Sequence, residues 1–220
     1  MAGTLKLLNA DGRGFCETIR IMLAAAGKSE MLDDVRYPID FEVMKAEGVD
    51  IACPAFAEAK AKGAHLASMN RMPVLEVEGV SIGGSGPIGR LIAKRVGMYG
   101  KTDLEAAAID QAMENVVDIK ATYGPAKAKG EEDLAEWFKT TLPAWLAKLE
   151  KTLGANGFAV GEAISMADIN LWVFCRDFFD NKEGAAAAVA TCPKLHSIVD
   201  RIAGLPEVVT YLAARKQTAV

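Results

Sequence analysis

The sequence predicts an α/β domain followed by an all-helical one, and three observations carry that prediction. Up to Val96, short alternating stretches and helix-period stretches interleave in the order strand, helix, strand, variable segment, strand, strand, helix. Residues 97–101 then form a glycine-punctuated linker. Beyond it, apolar residues recur only at helical spacing. The expected domains are therefore residues 1–96 and 102–220. Periodicity alone supports no more than an α/β layer arrangement for the first of them.

Leu5, Lys6, Leu7 and Leu8 make a short first strand. Gly12, Arg13 and Gly14 form a flexible turn into a helix that carries Ile19, Met22, Leu23 and Ala26 on one face and ends at Gly27. Residues 35–37 read as a second strand closed by Pro38, and residues 41–69 as a variable segment. Residues 74–78 and 80–82 alternate around a tight Glu78-Gly79 turn of the kind hairpins use. A helix follows, capped by Ser85, with Pro87 in its first turn and Ile88, Leu91, Ile92 and Arg95 at helical spacing.

In the second half, Thr102 and Glu105 have the spacing of a capping box. Ile109, Ala112, Met113 and Val116 form an apolar stripe, beside an acidic line of Asp110, Glu114 and Asp118. Residues 131–153 read as one helix carrying Leu134, Trp137, Phe138, Trp145 and Leu149, bent by the missing backbone donor of Pro143. Tyr123, Trp137 and Trp145 either wall an apolar pocket or, as is commoner for aromatic residues at this spacing, fill the core. Ser165 and Asp168 form a second capping box, with Ile164 and Ile169 placed as its hydrophobic staple, and Asp168 is expected to serve folding and not chemistry.

A net charge of −4 leaves no basic footprint for nucleic acid or an anionic membrane. No apolar run reaches the roughly 18 residues that span a bilayer, and residues 1–8 lack a signal-peptide core, so a cytoplasmic protein is expected. Cys16, Cys53, Cys175 and Cys192 are scattered without zinc spacing and read as reduced, mostly core thiols, with no metal expected.

The unit from Asn70 to Ser85, a Met-Pro step into a hairpin and a Ser-headed helix, resembles the glutathione-binding half of the cytosolic glutathione transferases. The tail with Pro193, Leu195, Arg201, Pro206, Tyr211, Leu212 and Arg215 resembles that family's last helices, so the likeness runs over nearly the whole chain and is greatest to the sigma and alpha classes. It implies a thioredoxin-like first domain, an all-helical second domain and glutathione as co-substrate. By resemblance, Met72 offers its backbone to the cysteinyl part of glutathione and Pro73 is cis. Ser85 would hold the γ-glutamyl carboxylate, a placement that free N–H groups at a helix start support. Gly84 stands where the family usually has glutamine. The family's aromatic residue and lysine four positions later match both Phe41 with Lys45 and Phe56 with Lys60; the second pair lies nearer Met72 and is preferred. Arg71 would add charge near the glycyl carboxylate, and Asp118 has the spacing of the aspartate that crosses a homodimer to the partner's γ-glutamyl amine.

A transferase of this kind must ionise the glutathione thiol, since an ordinary thiol of pKa about 8.5 is only slightly ionised at neutral pH. The sigma and alpha classes use a tyrosine hydroxyl at the end of the first strand. Here Asn9 stands at that position, although Gly12, Arg13, Gly14, Glu17, Ile19 and Arg20 agree with the family's run. Phe15 replaces an arginine that supports the thiolate. Asn9 and Arg13 are then the candidates beside the sulfur, for attack on a small apolar electrophile as in detoxification. Cys16 offers a mixed disulfide, but it lies three residues past the site of the thiol-dependent members. The alternative is a non-catalytic binding or assembly subunit of the same fold.

Overall fold

The structure, a computed structural model, describes residues 4–47 and 52–218. The chain divides into two compact units, one running to Ile92 and taking in the chain from Thr210 onward, the other Ala93–Val209.

In the first unit, β1 (Leu5–Ala10) leads through a single 3-10 turn into α1 (Glu17–Ala25) and then β2 (Leu32–Tyr37). The segment read as variable holds α2 (Phe41–Glu47), α3 (Pro54–Ala61) and a one-turn helix, Leu66–Ser68. After it come β3 (Val74–Val77), β4 (Val80–Gly83) and α4 (Ser85–Val96). The sheet order is β2-β1-β3-β4, with β1 and β2 parallel and the other pairs antiparallel. A parallel pair needs a crossover, and α1 supplies it. Leu7 and Leu8 face opposite sides of β1 yet both are buried, so the sheet is covered on both faces.

The strands are longer than the apolar pattern suggests. β1 continues through Asn9 to Ala10 and β2 begins at Leu32, where Asp33 and Asp34 interrupt the apolar pattern. Lys6 meets Glu76 across the β1–β3 pair at 2.8 Å, and Asp34 takes Arg36 at 2.6 Å and Arg20 at 2.9 Å. The hairpin turn is as expected: Glu78 and Gly79 both have left-handed φ, 52° and 76°, which a two-residue turn matching strand twist requires.

The second unit begins from α4's last turn and contains α5 (Asp103–Lys129), α6 (Glu131–Glu136), α7 (Leu142–Glu150), α8 (Met166–Val173), α9 (Lys182–Ala190) and α10 (Pro193–Ala203); α11 (Pro206–Ala214) leads out of it. Thr102 caps α5 by accepting the Glu105 N–H at 3.1 Å, while the Glu105 carboxylate accepts from Lys101 N–H, one residue earlier than a regular capping box. The single bent helix expected over 131–153 is instead α6 and α7 joined by a π-helical turn, Trp137–Thr141. The Leu142 N–H reaches back five residues to the Trp137 carbonyl. The distortion thus falls in the turn before Pro143, which has no N–H to give, and regular helix resumes after it.

Tyr123 and Trp137 are core residues, buried with Phe138 and Phe179 in a set of edge-on and tilted rings. The Trp137 indole N–H is satisfied by Thr122 Oγ1 at 3.0 Å. Trp145 is half-buried under the Lys148 ammonium. Lys120 sets its Nζ 4.4 Å from the Phe178 ring centroid, and burial pushes its amine down to about 8. At the start of α8, Asp168 accepts from the Ser165 N–H (2.9 Å), the Ser165 hydroxyl (2.6 Å) and the Ala159 N–H (2.8 Å), so this buried carboxylate ties a loop to a helix start. Among the described residues no helix is long and apolar enough to cross a membrane, and no group of His, Cys, Asp and Glu side chains is placed to hold a metal ion.

Candidate functional site

An open cleft of about 320 Å³ lies in the first unit, lined by Ala67, Ser68, Met69, Arg71, Met72, Pro73, Gly83, Gly84 and Ser85. Its floor is the turn into β3, where the Met72–Pro73 peptide is cis. Its far wall is the start of α4. Between them, Gly84 has φ 89° and donates its N–H to the Pro73 carbonyl at 3.1 Å, joining wall to floor. Gly83 lets the Leu66–Ser68 turn lie directly on β4: a Cβ there would sit 2.5 Å from Ser68 Cα and 2.7 Å from the Ala67 carbonyl oxygen.

The cleft's polar groups are mostly main chain. The first N–H groups of α4 have no partner within the helix, and with the Ser85 hydroxyl they make an anion-favouring end. At the cleft's edge the Met72 main chain offers a peptide donor and acceptor, and Arg71 sets an exposed cation beside them. Such an arrangement suits an extended peptide-like ligand that carries carboxylates.

The loop between β1 and α1 is built differently. Arg20, with its side chain buried, donates to the carbonyls of Gly12 (2.8 Å) and Arg13 (3.2 Å) and to Asp34 (2.9 Å). It also faces Glu17 at 3.3 Å. Glu17, equally buried, accepts from Arg215 (2.8 Å) and the Tyr211 hydroxyl (3.1 Å), and Lys216 pairs with Asp11. Two motif residues that resemblance left without a role, Glu17 and Arg20, therefore fix the loop and anchor the tail. Asn9 lies half-buried at the end of β1, opposite Arg36, and Arg13 is half-buried in the loop.

Of the residues predicted for the site, the structure brings Arg71, Met72, Pro73, Gly84 and Ser85 into one cleft. Asn9, Arg13, Phe56 and Lys60 are not among its lining. Phe56 and Met72 each pack against the buried cluster of Leu8, Tyr37, Cys53 and Val74, and Lys60 places its Nζ 5.6 Å from the Phe56 ring centroid. Phe41 is exposed, and the side chains of Phe15 and Lys45 lie outside the described ones. Asp118 is exposed on α5 in the other unit. Cys16 is buried and its thiol is pushed up to about 12, so it supplies no thiolate for a mixed disulfide; burial raises Cys53, Cys175 and Cys192 as well. Gly83 was missed, although it is visible in the sequence as half of a Gly-Gly pair before the helix. The sequence held no signal for Tyr37, His65 and Ser68, which meet only once the chain is folded.

Residues 117–215 match the family model described as glutathione S-transferase, C-terminal domain. The chain is 29% identical over 99% of its length to glutathione S-transferase A3 of Mus musculus, covering 92% of that protein. It is 27% identical to hematopoietic prostaglandin D synthase of Gallus gallus, covering 98% of each chain. Among solved structures, monomeric Na-GST-3, a glutathione S-transferase from the hookworm Necator americanus, superposes with a TM-score of 0.78 at 22% identity, over 99% of this chain and all of that one. The Pi-class glutathione S-transferase of Onchocerca volvulus gives 0.76 at 24% identity, over 96% and 93%. These likenesses fix the fold as a thioredoxin-like domain joined to an all-helical one. Residues 117–215 thus match the glutathione S-transferase C-terminal domain, and over its whole length the chain is similar to cytosolic glutathione S-transferases of the alpha type.

Proposed function

We propose that this protein binds glutathione in the Met72–Ser85 cleft and uses its thiolate to attack a small apolar electrophile, as a cytoplasmic homodimer. The observation that carries the reading is the meeting, in one cleft, of the Met72–Pro73 main chain with the Ser85-headed N-terminus of α4. In this reading the γ-glutamyl carboxylate lies on the Ser85 hydroxyl and first-turn N–H groups, with Gly84 contributing main chain only. The cysteinyl part pairs with the Met72 main chain, and the glycyl carboxylate is drawn by Arg71 and Lys60, with Phe56 as a support behind them. Asp118 of a second copy meets the γ-glutamyl amine. The sulfur then lies toward Asn9 and Arg13, whose amide N–H and positive charge favour the ionised form.

A second reading has one observation in its favour: Asn9 stands where a hydroxyl donor is expected. In it the fold is kept as a non-catalytic binding or assembly subunit. Calorimetric titration of glutathione in two buffers of different ionisation enthalpy separates the two. Binding with proton release near neutral pH supports the transferase, and conjugation, peroxide reduction and isomerisation panels then identify the reaction. Absence of binding at millimolar glutathione sinks the first reading and turns the search toward a protein partner.

A further inference from the structure

Behind the cleft, residues 65–71 fold back around His65, which is fully buried. The His65 carbonyl accepts from the N–H groups of Ser68 (3.1 Å) and Asn70 (2.9 Å), and Ser68 Oγ lies 3.0 Å from it. Its ring is held on two sides, with Nδ1 3.2 Å from the Arg71 carbonyl and Nε2 3.0 Å from the Tyr37 hydroxyl. A carbonyl can only accept, so Nδ1 carries the proton and Nε2 accepts from Tyr37. The Phe56 ring stands edge-on to the imidazole with centroids 4.8 Å apart, which blocks rotation. Together these contacts hold Met69 and Asn70, neither of them glycine, in consecutive left-handed conformations, φ 53° and 59°.

The Arg71 carbonyl and the Met72 N–H belong to one planar trans peptide and point in opposite directions. A carbonyl turned toward His65 therefore turns the Met72 N–H away from it, and Met72 lines the cleft while His65 does not. We propose that His65, keyed by Tyr37, is a positioning residue of the cleft: together with the Ser68 hydroxyl, which also donates to the Arg71 carbonyl, it holds that carbonyl and so aims the Met72 N–H at the main chain of the bound thiol peptide. The assignment rests on the glutathione reading above. Nothing in the imidazole touches the ligand; its effect passes through one peptide plane.

The test compares His65→Leu, His65→Asn and His65→Gln with the wild type, using S-methylglutathione, which has no thiol to ionise, as the calorimetric probe. Asn keeps an N–H donor where Nδ1 stands, Gln moves its amide toward the Nε2 position, and Leu has neither. The expected result is a Kd at least about tenfold weaker for H65L and H65Q, with H65N recovering most of that loss. The backbone amide resonance of Met72 should move in H65L and return in H65N. If H65L does not fold, the H65N and H65Q pair carries the same contrast. Equal losses in H65N and H65Q would mean that the ring only fills space, and an unchanged Kd in H65L or H65Q would mean that the peptide needs no such hold; either result overturns the proposal while the cleft assignment stands. A wild type that binds no S-methylglutathione overturns the cleft assignment, and the proposal with it.

Discussion

The cleft and the loop between β1 and α1, both in the first unit, are made of different material. The cleft is main chain: a cis peptide, two glycines and a helix start present N–H and C=O groups, and few side chains enter it. The loop between β1 and α1 is held by side chains, with Arg20, Glu17, Asp34, Arg215 and Tyr211 locked together under it. A main-chain site tolerates sequence change so long as the backbone path survives, which is how it remains recognisable at such low identity. A site built on one side-chain hydroxyl changes with one substitution, and by resemblance Asn9 stands where that hydroxyl is expected.

The sharpest way to break the loop is at Glu17. Glu17→Ala leaves Arg20 without one of its carboxylates and Arg215 without its buried one, and stranding a buried charge costs ~3–5 kcal/mol. Urea unfolding should show that loss. The tail from Thr210 should also become a protease target, since its ion pair and tyrosine contact at Glu17 go together. A loss below about 1 kcal/mol would mean that the network is surface decoration. The matching stroke on the cleft is Gly83→Ala, whose Cβ would meet Ser68 Cα at 2.5 Å. Overpacking of this kind costs ~1–3 kcal/mol, and glutathione affinity should fall with it because the Leu66–Ser68 turn is forced off β4.

Asn9→Tyr addresses chemistry. A hydrogen bond to a charged group is worth ~1.5–3 kcal/mol, so restoring a hydroxyl donor to a thiolate should raise conjugation by about tenfold to a hundredfold. No gain in a variant that still binds glutathione would show that the sulfur does not lie at the end of β1. Ser85→Ala removes one ligand hydrogen bond while the α4 N–H groups remain, so the expected loss of glutathione affinity is about 1 kcal/mol, or fivefold. Complete loss of binding would mean that the hydroxyl, and not the helix end, carries the anion.

Sequence reading and structure part at recognisable places. The hairpin, the Ser165–Asp168 cap and the α5 stripe were legible because turn, cap and period are local properties. The ends of β1 and β2 were not, since Asn9, Asp33 and Asp34 interrupt the apolar pattern and Asp34 reads as solvent-facing until Arg20 and Arg36 are in place. The widened turn at Trp137–Thr141 was anticipated as a bend at Pro143, but a sequence pattern does not say which turn absorbs a missing donor. In the site, Met72, Pro73 and Ser85 were found from a motif of adjacent residues. Tyr37 and His65 escaped because their hydrogen bond joins positions 28 residues apart, with no pattern between them.

His65 also gives the cleft a pH dependence. Burial lowers its pKa from the ordinary value near 6.5. The charged and titratable groups around it are the Tyr37 hydroxyl from β2, Glu76 from β3, Lys60 above Phe56 from α3, and Arg71 of its own loop. Only the imidazole titrates between pH 7.5 and 5 by its ordinary value. The folded state prefers the neutral ring, so the unfolded chain binds the proton more readily as pH falls through about 6.5. The stability tied to the neutral ring is therefore whole above that pH and declines below it, toward the lowered folded value. Urea midpoints measured from pH 7.5 to 5 should fall more in the wild type than in His65→Asn, and the two profiles should run parallel above pH 7. Identical profiles would mean that the ring is free to take its proton in place, and that the Tyr37 bond does not hold it neutral.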